Sequence, residues 1–243
     1  VSDELFHFIG GKPVFGTSGR FHELPGIRVP LAGKREVDYA VEVAVAAQDE
    51  WAQWQPDRRL RGLMDFLERV SDELDGCPVM VPVWNAAPAV ACGNSFVLKP
   101  SERDPSIALR LATTFLDAGL PPGVFNVVHG DREAIDALIA HPRVDAIGFV
   151  GPSAVAESVQ ATALAYGKTA QCFHGTRSHL VPLPEPDSDQ VVGALVGAGT
   201  GPASEAQMAT SLVAQFAGRA PDPVVERLAA VYRPDFRRSA GSR

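Results

Sequence analysis

The residues of this chain best suited to hold a ligand share one turn. Cys92 to Asp104 reads CGNSFVLKPSERD, an apolar run that ends in Lys99, Pro100, Ser101, Glu102 and Arg103. A lysine and an acid at the carboxyl end of a parallel strand can hold a ribose, the ammonium donating to its hydroxyls and the carboxylate accepting from them. Two further runs also end in glycine before a predicted helix: Pro121 to Gly130, PPGVFNVVHG, and Ala146 to Gly151, AIGFVG. At Gly151-Pro152-Ser153 the helix start offers backbone N–H groups and the positive end of a dipole to a phosphate. Proline at 152 removes one of those donors.

A second group of reactive residues lies in Gln171-Cys172-Phe173-His174-Gly175, with His179 close behind. Residues two apart on an extended strand share a face, so His174 is positioned to lower the pKa of Cys172 and make it a substitute nucleophile. Cys172, His174 and His179 can also be read as metal ligands, although they lack a fourth partner and zinc-like spacing, and no metal is expected. The third reading is a buried structural cysteine. His129 and His141, at element ends, read as structural. Trp51, Trp54 and Trp84 read as packing residues.

The elements that must position these groups follow from pattern. Phe6 to Gly19 predicts a short hairpin turning at Gly10-Gly11. Val37, Val41, Ala44, Val45 and Trp51 recur at helical spacing, and so do Leu60, Leu63, Leu67, Val70 and Leu74, with Pro56-Asp57 between them as a cap. Strands are predicted at 96–99, 124–128 and 146–150, alternating with helices at 105–118, 132–140 and 153–166. Asp104, Asp131 and Ser153 are the expected N-caps, with Gly119 and Gly167 just past two of the ends. Such alternation predicts an α/β fold with a parallel sheet. Further strands are expected at 169–173 and 179–184 and a helix at 188–196, after which small residues and a linker at 218–222 precede a short amphipathic helix, 224–232, and a basic tail.

Taken together, the KPSERD turn, NVVHG and AIGFVG resemble the aldehyde dehydrogenase superfamily, most closely its CoA-acylating methylmalonate-semialdehyde dehydrogenase branch. The resemblance implies a Rossmann-like dinucleotide-binding domain, NAD as cofactor and CoA as co-substrate. It assigns Lys99, Ser101, Glu102, Arg103, Gly151 and Ser153 to the cofactor. It also implies losses. The family's catalytic cysteine aligns with Gln207, and a carboxamide cannot form a thiohemiacetal. The family's oxyanion-holding asparagine aligns with Gly76, which has no side-chain donor. A first strand and projecting hairpin, expected between the second helix and Pro78, are missing, as is most of the catalytic domain. The implied organisation is an N-terminal hairpin and helices (1–75), the dinucleotide-binding domain (76–184), a catalytic-domain remnant (185–217) and a linker, helix and tail (218–243). The implied function is that of a degenerate relative with its oxidoreductase activity lost and NAD binding weakened or lost. Two rivals stand beside it: an oligomerising partner module, self-associating or joining a full-length relative, and a non-redox enzyme reusing the old crevice.

Composition agrees with a self-sufficient core. The chain has 243 residues, of which 46% are hydrophobic, enough to fold without staples. A net charge of -7, from 22 basic and 29 acidic residues, argues against nucleic acid as a partner. Arg58, Arg59 and Arg61 read as a solvated helix face. Three sparse cysteines without a CxxC pair, and no leader-like start, predict a reducing, cytoplasmic setting. The longest apolar run, Pro78 to Cys92, carries prolines and Asn85 and is shorter than the ~20 residues a membrane span requires, so no membrane partner is expected.

Overall fold

Gly10 and Gly11 take φ values of 64° and 79°, the two positive angles that a two-residue hairpin turn of type I′ requires. They join β2 (His7–Ile9) to β3 (Lys12–Val14) in antiparallel register, His7 opposite Val14. The computed structural model describes residues 3–74, 79–102, 104–173, 176–180, 189–190, 209–214 and 226. Among them the chain forms two compact units, Val1–Gly148 with Ser158–Gln171, and Phe149–Glu157 with Cys172–Arg243.

In the first unit the hairpin is the flank of a four-stranded sheet. Strands β6 (Phe96–Leu98) and β7 (Phe125–Val127) pair in parallel, Phe96 opposite Phe125, and β2 adds antiparallel to the other side of β7 at Phe8 and Val127. The order is β3-β2-β7-β6. A break at residue 75 is therefore not where the units divide, because the N-terminal hairpin hydrogen-bonds directly into the sheet. The sequence also predicts β8 (Ala146–Val150) in the same parallel sheet. Instead β8 pairs with β9 (Thr169–Phe173) in a separate two-stranded sheet, and both edges of β7 are already taken. A third sheet joins β4 (Phe21–Leu24) to β5 (Ile27–Pro30), with β1 (Asp3–Glu4) parallel on β5.

Helices α2 (Pro56–Glu73) and α4 (Ser106–Asp117) bury their apolar stripes in one cluster with β6, β7 and Trp51 of α1 (Lys34–Trp51), while Val37, Ala40 and Val41 of α1 pack in a second cluster with Ile9, Val128 and Ala134. Phe115 is the hub. Its ring lies 5.4 Å from both Phe66 and Phe125, and full burial of such a ring contributes roughly 2–3 kcal/mol. The apolar run that sequence reading leaves irregular is a helix, α3 (Met80–Ala91), with Pro88 inside it. Pro82 falls in the first turn, where a missing N–H is harmless. Tertiary bonds offset the break at Pro88: Trp51 Nε1 donates to the Val90 carbonyl at 2.9 Å, and Ala86 and Val90 are buried.

Arg59 corrects the reading of a solvated arginine face. It is 9% exposed and donates to the carbonyls of Ala52, Trp54 and Ala91, joining the ends of α1 and α3, while Arg58 lies 3.3 Å over the Trp54 ring. Trp84, 44% exposed, is not a core residue. Caps divide as well. Asp131 caps α5 (Arg132–Ala140) by accepting from Glu133 N–H at 3.1 Å, and Gly119 and Gly167 take positive φ past their helices. Asp104 makes no cap bond, since Pro105 stands at the N-cap of α4. Pro56 begins α2 with Gln55 as its cap, which puts Asp57 inside the first turn. Ser153 is the first residue of α6 (Ser153–Ala165), and the Pro152 carbonyl accepts from Val155 and Ala156 N–H.

In the second unit β10 (Thr176–Leu180) and β11 (Ala209–Ala214) pair in parallel. The first begins earlier than the predicted strand, and the second was not predicted at all. The amphipathic helix expected at 224–232 lies outside the described residues except Glu226. Among the described residues no helix is long and apolar enough to cross a membrane.

The hairpin is locked to the sheet by two buried histidines. His129 N–H donates to His7 Nδ1 at 3.1 Å, which makes Nδ1 the acceptor and puts the ring proton of neutral His7 on Nε2. Burial holds His7 down to about 4 against the pull of Glu36. Burial, then the charges of His7 and Lys99, hold His129 down to about 3, and neither of its buried ring nitrogens has a hydrogen-bond partner. Both rings are neutral in the fold and titrate near 6.5 when unfolded. Stability is therefore full above that value and falls as pH drops towards 4, because the unfolded chain takes up protons first. The loss expected is on the order of 5 kcal/mol for the pair. Urea midpoints measured from neutral pH down to the acid end will fall steeply, and His7→Asn, which keeps an acceptor but does not titrate, will flatten the curve; an equal slope in that variant contradicts the assignment.

Candidate functional site

Strand β6 ends at Leu98, opposite Val127 of β7, and Val128 N–H donates to the Leu98 carbonyl at 2.9 Å. Pro100 cannot continue the ladder, so the chain turns away there. This turn sets Lys99 at the carboxyl end of the parallel pair, where α/β sheets bind ligands. Its Nζ lies 3.3 Å from Glu102 Oε2, with side chains 15% and 39% exposed. Burial alone would raise the Glu102 carboxyl, but the bond from its own backbone N–H and the charge and hydrogen bond of Lys99 outweigh it, and His22 adds to them. The carboxyl is held below its usual range. The site is thus a charged donor and a charged acceptor in contact, half-sheltered at a strand end. A cis-diol inserted between them replaces one ion pair with two charge-assisted hydrogen bonds.

Ser101 is exposed in the same turn. Arg103 lies outside the described residues. Sequence reading missed His22, whose charge acts on Glu102 from β4; eighty residues of separation leave no local pattern to reveal it. It likewise missed what anchors the segment before β4. Glu36 accepts from Thr17 N–H and Oγ1 at 2.8 and 2.7 Å and from Gly33 N–H at 3.1 Å. Arg20 pairs with Asp131 at 2.7 Å and Glu133 at 2.9 Å. The start of α5, directly after β7, is therefore filled by the chain's own carboxylates. That end of the helix repels a phosphate.

The second unit holds the other expected phosphate contacts, Gly151 and Ser153. Gly151 N–H donates to the Phe173 carbonyl at 3.2 Å, and Pro152 has no N–H to give. Neither is available to an anion, which leaves the amides of Ser153 and Ala154 at this helix start. Cys172 is half-buried, and burial pushes its thiol up rather than down. His174, the group expected to activate it, lies outside the described residues, as do Gly76 and Gln207. Among the described residues no three His, Cys, Asp or Glu side chains gather as metal ligands. His141 is buried, its Nδ1 accepting from Arg143 N–H at 3.1 Å while its carbonyl accepts from Lys168 Nζ.

Comparison with known proteins places this geometry in context. Residues 76–233 match the model of the aldehyde dehydrogenase family. A malonate-semialdehyde dehydrogenase of Pseudomonas aeruginosa is 42% identical over 180 residues, covering 74% of this chain and 34% of that protein. Malonate-semialdehyde dehydrogenase 2 of Geobacillus thermodenitrificans is 47% identical over 299 residues, covering 92% of this chain and 62% of its own length. That span is longer than the whole 243-residue chain, so the relative carries an internal segment with no counterpart here. A Sinorhizobium meliloti 1021 structure described as a methylmalonate-semialdehyde dehydrogenase complexed with NAD superposes with a TM-score of 0.73 at 36% identity, covering 82% of this chain and 56% of that one. The chain thus spans between about a third and three-fifths of the length of these proteins.

The thiol geometry yields a direct expectation. Cys92 is exposed whereas Cys172 is half-buried with a raised pKa, and the thiolate is the reactive form. Iodoacetamide at neutral pH, read by peptide mass spectrometry, will label Cys92 at least several-fold faster than Cys172; faster labelling of Cys172 contradicts its assignment as a structural thiol.

Proposed function

The chain belongs to the aldehyde dehydrogenase family, and on that premise we propose that it is a degenerate member of the CoA-acylating semialdehyde branch that keeps an adenosine-ribose site and has lost its own dehydrogenase chemistry. The observation that carries the reading is the Lys99–Glu102 pair at the end of β6. It matches the adenosine ribose of a dinucleotide in chemistry and position: a vicinal diol needs one donor and one acceptor, in a turn that the parallel ladder fixes.

The rest of NAD fits these residues poorly. The pyrophosphate would have to rely on a helix start whose Gly151 amide is engaged by β9 and whose next residue is proline. At the catalytic positions, Gln207 has no thiolate to attack a carbonyl carbon and Gly76 no side chain to donate to an oxyanion. No step of aldehyde oxidation is therefore derived for this chain, and CoA has no acyl-enzyme to accept from. The semialdehyde preference comes from the relatives and describes ancestry. What the chain's own residues do is bind: Lys99 donates, Glu102 accepts, and the hairpin behind β7 keeps the turn in place.

Two measurements test this. Incubated with NAD, CoA and malonate or methylmalonate semialdehyde, the chain will give no NADH above a no-protein control; heat-sensitive NADH formation contradicts the loss of chemistry. Calorimetry with ADP-ribose will show weak binding that falls at least tenfold in Lys99→Ala and in Glu102→Ala, because each substitution leaves the other charge unpaired at the diol. Binding unaffected by both substitutions removes the ribose site from the account.

A further inference from the structure

We propose that the free edges of β6 and β8 form an acceptor for one extended apolar strand, supplied by another polypeptide and inserted parallel between them. Backbone bonds show which edges are free. Phe96 N–H donates to the Val124 carbonyl at 2.7 Å and Val128 N–H to the Leu98 carbonyl at 2.9 Å, so the even-numbered residues of β6 face β7 and the N–H and C=O of Val97 point the other way. In β8 the Asp145 carbonyl accepts from Thr169 N–H at 3.1 Å and Gly151 N–H donates to the Phe173 carbonyl, so the odd-numbered residues face β9 and Ala146 and Gly148 point away from it. Among the described residues β6 ends its sheet, β8 pairs with β9 alone, and nothing bonds to the outward groups of Val97, Ala146 and Gly148. Ala146 to Gly148 belong to the same compact unit as β6.

One helix lies against both edges. Ala86 and Val90 of α3 are buried in the cluster that takes in Phe96 and Leu98, and a Cβ on Gly148 would stand 3.0 Å from Asn85 Oδ1 of the same helix. In doubly wound sheets of consecutive βα units the strand order begins 3-2-1-4-5, which puts the first strand between the second and the fourth. The pairs β7-β6 and β8-β9 reproduce that order on either side of one unfilled position. Neither edge carries the charge or proline that blunts an exposed strand, since β6 reads FVL and β8 reads AIGFV. This chemistry fixes the occupant. It must present N–H and C=O groups on both sides, which a strand does and a helix does not, and with α3 over one face its side chains must be apolar. Among its described residues a second copy offers only strands already paired on one side. The internal segment that the Geobacillus relative carries and this chain lacks is the source of such a strand.

The probes are short capped peptides that overlap along that internal segment, each titrated into the full chain and read by fluorescence anisotropy and by residue-resolved amide hydrogen exchange. One apolar peptide will bind saturably and slow exchange at Val97, Ala146 and Gly148 at least tenfold, as strand addition requires. N-methylation at alternate residues of that peptide, which removes its donors on one side and keeps its side chains, will abolish binding. Val97→Pro, which removes the outward N–H and spares the bonds of Phe96 and Leu98 to β7, will weaken binding at least tenfold with circular dichroism unchanged; if that variant loses its fold, the N-methylated peptide decides alone. The proposal is overturned by a segment from which no peptide binds, by binding that leaves the three amides unprotected, or by an N-methylated peptide that binds as well as its parent. A chain that dimerises by itself with Val97 protected overturns it too, because a second copy then occupies the edge.

Discussion

The parallel ladder between β6 and β7, closed on its far side by the N-terminal hairpin, is the constraint on which the rest depends. A lone pair of short parallel strands is weak, and β7 has only three residues to bond with. The hairpin supplies what the ladder lacks. Gly10 N–H donates to Asn126 Oδ1 at 2.9 Å, Asn126 Nδ2 donates to Gly123 C=O at 2.6 Å, His129 N–H donates to His7 Nδ1, and Ala32 N–H donates to His129 C=O. Residues 116 and 122 positions apart are thereby joined in one buried network. Because Lys99 follows β6 directly, the position of its ammonium is inherited from this network, and so is the geometry of the ion pair with Glu102.

How much of this was legible in the sequence depended on whether the cause was local. Gly10-Gly11 announced the hairpin because the turn needs positive φ at both positions, and Asp131 announced its helix because the cap bond is two residues long. What the hairpin would pair with was not legible, since one residue of contact, Phe8 with Val127, carries no pattern. Helix α3 was missed for a similar reason. Its prolines speak against a helix, and the bonds that override them come from Trp51, thirty-nine residues away. Arg59 looked like one of three solvated arginines, and only the tertiary fold brings three orphan carbonyls to it. Asp104 was a reasonable cap by composition, but Pro105 had already taken that place. Lys99 and Glu102 were legible as a candidate charged pair in the turn after a strand, whereas their contact with each other and the nearness of His22 were not.

On the proposed reading, the internal segment that the Geobacillus relative carries and this chain lacks leaves the cofactor site partial. In this chain α3 follows α2 within a few residues, and the described part of the sheet carries no strand beyond β6. A dinucleotide crevice is made by neighbouring strand ends; among the described residues of this sheet only β6 and β7 contribute parallel ends, and the helix start after β7 is occupied by Asp131, Glu133 and Arg20. The proposed ribose contact needs only a single strand end and the turn that follows.

Saturation-transfer NMR on NAD in the presence of the full chain measures this directly, because it reports which protons of the ligand touch the protein. The account predicts saturation at the adenine and adjoining ribose protons, lost in Lys99→Ala, with nicotinamide protons unsaturated. Saturation of the nicotinamide protons equal to that of the adenine would contradict it, by showing that the whole cofactor is held.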